Sequence, residues 1–270
     1  MPDLRILAIV QSRMNSTRLP GKVLLDIAGQ PMLARVVDRA RRAKMLDEVV
    51  VATTIDPSDG PVEVLCRSRN YPFYRGSAND VLDRYYQAAS QFQADVIVRL
   101  TADCPLIDPG VIDATVIAFF GFDPLSDRTL KQIKSYAPRY DFAANRLPPP
   151  WKRTYPIGLD TEVCTFKALE RAWREAIEPH QREHVMPYLY EQAGRFRVRV
   201  IDHEPDYGAL RFTVDTAEDL QLVREIFNRF GGRDDFGWLE VVALLDRHPE
   251  LAEINASVVH KTVHDVDARR

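Results

Sequence analysis

Apolar runs that alternate with helical stripes constrain this chain more than any other feature. Leu4-Arg5-Ile6-Leu7-Ala8-Ile9-Val10, Glu48-Val49-Val50-Val51-Ala52-Thr53 and Val96-Ile97-Val98-Arg99-Leu100 read as buried strands, with a shorter extended piece at Pro72-Phe73-Tyr74. Between them the pattern changes to a helical one. Residues 31–43 carry apolar side chains at Met32, Leu33, Val36 and Val37, and residues 79–92 at Val81, Leu82, Tyr85 and Ala88. Residues 60–70 read as another helix, and Pro109 opens one that runs to residue 119, in the first-turn position that proline tolerates. Such alternation predicts a three-layer α/β/α fold on a mostly parallel sheet. Ligands of such sheets gather beyond the carboxyl ends of the strands, so the loops after Val10 and Leu100 are the ones to read for chemistry.

The second half is less regular. Residues 121–139 are polar, include Pro124 and Pro138, and read as an insertion or flexible excursion within one domain spanning 1–270. A helix is expected over 182–192, interrupted by Pro187, with strands at 196–201 and 211–214. The amphipathic stretch 216–230 is expected as a helix capped by Asp215, with Glu218 at its third position. A helix over 237–248 closes the fold, and the tail from His260 is expected to fray.

Composition excludes several classes. With 36 Lys and Arg against 39 Asp and Glu, bulk electrostatic attraction to nucleic acid is not expected, although a few local cations could hold a small anion. No apolar run reaches the roughly 20 residues that span a bilayer, and no export signal is recognisable at the start. Cys66, Cys104 and Cys164 are odd in number and widely spaced, which suits the reducing cytoplasm and neither a disulfide framework nor a zinc site.

The loop Gln11-Ser12-Arg13-Met14-Asn15-Ser16-Thr17-Arg18-Leu19-Pro20-Gly21-Lys22 follows the first strand and carries three cations. Its small residues (Ser12, Ser16, Thr17, Gly21) let backbone N–H groups approach a ligand, as a phosphate cradle requires. Arg13 and Arg18 offer forked donors and Lys22 a mobile point charge. It is not a Walker-type loop, because Val23 follows Gly21-Lys22 where Ser or Thr would stand. On composition alone, a solvated polar loop reads as well.

Arg13-Met14-Asn15-Ser16-Thr17-Arg18-Leu19-Pro20-Gly21-Lys22 resembles the N-terminal signature of the CMP-sugar cytidylyltransferases, the group containing CMP-sialic acid and CMP-Kdo synthetases. Asn15 stands where glycine is usual there. The likeness is greatest to the spore-coat polysaccharide biosynthesis protein F subfamily and runs along most of the chain. It includes Arg75-Gly76-Ser77, Asp80-Val81-Leu82-Asp83-Arg84-Tyr85, Arg99-Leu100-Thr101-Ala102-Asp103-Cys104-Pro105, Tyr155-Pro156-Ile157-Gly158-Leu159-Asp160, Arg182-Glu183-His184-Val185 and Thr213-Val214-Asp215-Thr216.

The resemblance implies transfer of CMP from CTP to a sugar-like acceptor with release of pyrophosphate, aided by Mg²⁺. Such a transfer needs alignment and charge neutralisation more than covalent help. By the same resemblance Lys22, Arg13 and Asp103 are catalytic, and Asp103 and Asp215 hold the metal. Read from the sequence itself, Asp103 could equally be a turn residue and Asp215 a helix cap. Gln11, Ser12, Arg13, Ser16, Lys22, Arg75, Asp80 and Thr101 are the nucleotide-side candidates. Asp160, Glu162 and His184 are the acceptor-side ones, the two carboxylates pointing the same way if they lie on one strand. The resemblance further implies a homodimer with its dimerisation segment within residues 140–200, while the composition leads us to expect a cytoplasmic protein with no nucleic-acid or membrane partner. Two other readings are a nucleotide-sugar-dependent glycosyltransferase and a non-catalytic nucleotide-binding protein. The first usually carries an Asp-x-Asp motif after a central strand, and here the only one is Asp265-Val266-Asp267, in the tail.

Overall fold

A computed structural model describes residues 4–124 and 129–259. The first half alternates as its sequence implies. Strand β1 (Ile6–Gln11) leads through a 3-10 turn at Lys22–Leu24 and a small hairpin, β2 (Asp26–Ile27) and β3 (Gln30–Pro31), into α1 (Met32–Ala40). Then come β4 (Glu48–Thr54), α2 (Gly60–Ser68), β5 (Phe73–Gly76), α3 (Val81–Gln91), β6 (Val96–Thr101) and α4 (Pro109–Phe119). The second half supplies α5 (Leu130–Lys134), β7 (Phe142–Ala144), β8 (Glu162–Thr165), α6 (Phe166–Glu175), α7 (Pro179–His184) and α8 (Pro187–Tyr190). It ends with β9 (Val198–Val200), α9 (Ala217–Arg229), α10 (Trp238–Arg247) and α11 (Pro249–Glu253).

Seven strands form one sheet in the order β5-β4-β1-β6-β8-β7-β9. Strands β5, β4, β1 and β6 are parallel, β8 is antiparallel to both its neighbours, and β9 is parallel to β7. Strand β1 is buried on both faces. Ile6, Ala8 and Val10 pack with α1, α2 and α4, while Leu7 and Ile9 pack with α3, α6 and α8. That burial explains an apolar run without alternation. The chain leaves β1 toward β4 on one side and returns to β6 on the other, so a crevice opens above the carboxyl ends of β1 and β6. A third apolar cluster, built from α9, α10 and residues such as Ile27, Leu106 and Phe212, flanks that crevice.

Several expectations need correction. Residues 211–214 form no strand; Arg211 makes a single bridge to Ile157. Asp160 lies in the loop before β8, not on a strand with Glu162. Strand β7 is only three residues long and gives no periodic signal. The cap of α9 is Thr216, whose hydroxyl accepts from Asp219 N–H while the Asp219 carboxylate reaches back to Thr216 N–H; Asp215 is thereby released from capping. The break at Pro187 is present, with Val185 at φ 71° between α7 and α8. In the 121–139 segment, Thr129 and Gln132 form a capping box, Ile133 is buried in the core and Lys134 pairs with Asp47 at 2.6 Å. Residues 125–128 of that segment, the tail from His260 and Asp265-Val266-Asp267 lie outside the described residues. Among the described residues no helix is long and apolar enough to cross a membrane.

Candidate active site

A cleft of about 360 Å³ lies above the ends of β1 and β6. The loop after β1 forms one wall. Its shape is fixed from outside: the fully buried Asp59 accepts from Met14 N–H at 2.7 Å, and Asn15 Nδ2 donates to Ser58 at 3.1 Å. Asn15 is not among the residues at positive φ, so the position where glycine is usual in the family makes no left-handed demand here. Gly21 does make one. At φ 71° it caps the 3-10 turn that follows, and the turn sends the Lys22 side chain inward.

Lys22 is the centre of the site. Its Nζ lies 2.8 Å from Asp103 Oδ2, 2.8 Å from Asp215 Oδ1 and 2.8 Å from the Val214 carbonyl, and the residue is only 7% exposed. Asp103 arrives from the loop after β6, and Asp215 from the residue before the Thr216 cap. Three residues far apart in sequence therefore meet at one point. Arg18 and Arg211 each bind Asp215 Oδ2 at 2.9 Å, and Arg211 also pairs with the fully buried Asp219. Burial pulls the Lys22 ammonium down, but the two carboxylates outweigh it and raise its pKa. Burial likewise pushes the Asp103 carboxyl up, and the charge and hydrogen bond of Lys22 overcome this and hold it at about 2. Asp215 is depressed by the same balance of burial against Lys22.

The sign of that shift fixes a pH dependence. A carboxylate held below its unfolded pKa contributes stability above the ordinary carboxylate range, and the contribution is lost as pH falls through the folded value. Acid unfolding is therefore expected to steepen between about pH 4 and pH 2, and Asp103→Asn should flatten that limb. Superimposable acid limbs for wild type and Asp103→Asn would contradict the assignment.

Gln11, Ser12, Arg13, Ser16, Lys22, Thr101, Asp103, Asp160, Glu162, His184 and Asp215 all line the cleft. Two expected nucleotide-side residues do not. Arg75 spends its guanidinium on the Thr54 and Asp56 carbonyls and on Glu63, bracing the end of β4. Asp80 caps α3 and pairs with Arg182, which also donates to the Trp173 carbonyl at 2.6 Å. On the far wall Asp160 is paired with Arg153 and Glu162 with Arg99, and Arg146 stands 3.9 Å from Asp160.

Residue-by-residue reading passed over Arg84, Arg146 and Tyr190, which also line the cleft. Arg84 stood in a quoted motif, and its position on α3, one turn from Val81, was the available signal. It is 2% exposed, its buried Nε has no hydrogen-bond partner, and among the described residues no carboxylate forms an ion pair with it. Gln11 Oε1 and Ser12 Oγ are likewise buried without a partner. Unsatisfied polar atoms on a cleft wall are what a polar ligand would complete.

Gly158 carries the far wall. At φ 104° a Cβ there would sit 2.5 Å from the Thr213 nitrogen, so only glycine lets the 155–160 loop lie against the segment leading to Asp215. Burial pushes the thiol of Cys104, beside Asp103, well above the usual range, which disfavours the nucleophilic thiolate.

A family model described as cytidylyltransferase matches residues 7–227. The chain belongs to the cytidylyltransferase family and is a nucleotidyltransferase. Spore coat polysaccharide biosynthesis protein SpsF of Bacillus subtilis (strain 168) is 32% identical over 254 residues, 92% of this chain and 96% of that protein. A 3-deoxy-manno-octulosonate cytidylyltransferase of Anaeromyxobacter sp. (strain Fw109-5) is 31% identical over 244 residues, 82% of this chain and 96% of that one. Among solved structures, a cytidylyltransferase from Leptospira borgpetersenii serovar Hardjo-bovis (strain JB197) superposes with a TM-score of 0.80 at 30% identity. It covers 96% of this chain and 99% of that one.

Proposed function

We propose that this cytidylyltransferase moves CMP from CTP to a sugar-like acceptor, releases pyrophosphate, and serves surface or spore polysaccharide synthesis in the cytoplasm as a homodimer that pairs through a segment within residues 140–200. The names of its relatives support the sugar-like acceptor and the pathway class. The observation that carries the site assignment is the meeting of Lys22, Asp103 and Asp215 in the cleft that Arg13 also lines, above the ends of β1 and β6.

In the transfer an acceptor oxygen attacks the α-phosphorus while pyrophosphate leaves from the opposite side, and the protein's task is to align the two and neutralise charge. Arg13, exposed in the cleft, and Lys22 face the space a triphosphate would take, and Arg84 adds a buried positive charge to the same cleft. Gln11 and Ser12 offer polar atoms to the nucleotide, as do Ser16 and Thr101. Asp160, Glu162 and His184 face the acceptor side, where the two carboxylates keep lone pairs for hydroxyl groups beyond their arginine partners.

The donor set suits Mg²⁺. Two hard carboxylates converge on one point, and among the described residues no group of three or more His, Cys, Asp or Glu could cage a metal. Mg²⁺ is characteristically held by one or two carboxylates with phosphate oxygens and water completing the shell. Bound to Asp103 and Asp215, it would supply positive charge against the phosphates.

Purified protein given each nucleoside triphosphate with a pool of candidate sugars is expected to release pyrophosphate with CTP alone. Release with UTP or GTP instead would overturn the base assignment. Tight CTP binding without release from any acceptor would reduce the protein to a nucleotide-binding role.

A further inference from the structure

We propose that Lys22 is the internal counter-ion of the Asp103–Asp215 pair and must leave it before a divalent cation can bind there, so that metal enters with the nucleotide and not before it. The inference rests on reading the cleft as a CTP site.

The ammonium holds the same aspartate oxygens that would be offered to a metal. Its three donors are matched by three acceptors at 2.8 Å: one oxygen of each aspartate and the Val214 carbonyl. The other oxygen of Asp215 is taken by Arg18 and Arg211. A divalent ion held by Asp103 and Asp215 would have to share these oxygens with the ammonium, and like charges so close in a partly buried site repel strongly.

Charge balance points the same way. Lys22, Arg18 and Arg211 face Asp103, Asp215 and Asp219, so this cluster is neutral without a metal. A divalent cation arriving alone would leave the cluster doubly positive. A triphosphate brings compensating negative charge and fresh acceptors for Lys22. The movement required is small. The 3-10 turn holds the Lys22 backbone, and Lys22 lines the same cleft, so rotation along its four-carbon stem would re-aim the ammonium toward phosphate oxygens there. Nucleotide and metal would then bind with positive coupling through one side chain.

Mn²⁺ is the probe, followed as loss of the free-ion signal in electron paramagnetic resonance on the full chain without nucleotide. Lys22→Met is expected to bind Mn²⁺ at least about tenfold more tightly than wild type, the ammonium having been removed. Equal affinity in the two proteins, or binding in neither, would overturn the proposal. A second measurement does not depend on the variant folding. Wild-type crystals soaked in Mn²⁺ alone are expected to show no anomalous peak between Asp103 and Asp215. Soaked in Mn²⁺ with CTP, they should show one, with Lys22 Nζ moved to the phosphates. A peak without nucleotide, or a peak with CTP while Lys22 stays in place, would also overturn it. Failure of wild type to bind CTP at all would instead sink the functional reading, and that result is separate from the metal-only comparison.

Discussion

Lys22→Ala is expected to lower kcat/KM for CTP by roughly two to three orders of magnitude, the usual cost of removing one positioned charge from a transfer site. Lys22 is the group that links the cation loop to both aspartates, and its loss removes positive charge from the leaving pyrophosphate. Lys22→Arg keeps the charge but cannot place a planar fork among three acceptors that converge on one nitrogen, so partial rescue is expected. Steady-state pyrophosphate release, with circular dichroism to confirm folding, reads the result. A loss of less than about threefold in Lys22→Ala would show that the triphosphate is held elsewhere.

Arg39→Ala is expected to destabilise the protein by about 3–5 kcal/mol, from carbonyls left without donors and the cavity opened. The side chain is 1% exposed and sits between layers. Its Nε donates to the Ile107 carbonyl at 2.8 Å, Nη1 to Asp234 at 2.7 Å and Nη2 to Phe236 at 3.0 Å, with the guanidinium 4.6 Å from the Phe236 ring centre. Burial pulls its pKa down to about 10, which still leaves it charged at neutral pH. Truncation strips donors from three carbonyls and opens a cavity. Because Ile107 leads into α4 and Phe236 into α10, the clamp joins the sheet to the third apolar cluster that carries Asp215. Urea denaturation measures the loss, and Arg39→Lys should recover only part of it. A change below about 1 kcal/mol would mean that these contacts contribute little net stability.

The parallel core was legible because burial on both faces leaves a sequence record. Strands β1, β4 and β6 are built on apolar runs, broken in β6 by Arg99, and the helices between them show their stripes, so a mostly parallel sheet and the loops after Val10 and Leu100 could be read from the sequence. The antiparallel extension was not legible in the same way. Strand β7 has three residues and β8 has four, too few to show a period, and the pairing of Ile157 with Arg211 is a single bridge made through space.

Within the site, Lys22, Asp103 and Asp215 were recognisable by motif. That Lys22 lies between the two aspartates was not, since it depends on Gly21 at positive φ and on Thr216, rather than Asp215, taking the cap. Arg75 and Asp80 show the converse. These two charged residues, partly exposed, brace the structure outside the cleft, and their partners, Glu63 and Arg182, are adjacent to them only in the folded chain. Arg84 shows a third case: a helix-borne arginine reads as solvated, yet it is buried, and among the described residues no carboxylate forms an ion pair with it.

The most direct test of the whole assignment is a crystal structure of the chain with CTP and Mg²⁺. The triphosphate should lie between the 12–22 loop and Asp103, within hydrogen-bond reach of Arg13 and Lys22, with the cytidine directed away from Asp160 and Glu162. Nucleotide bound outside this cleft, or phosphates seated against Asp160 and Glu162 instead, would contradict it.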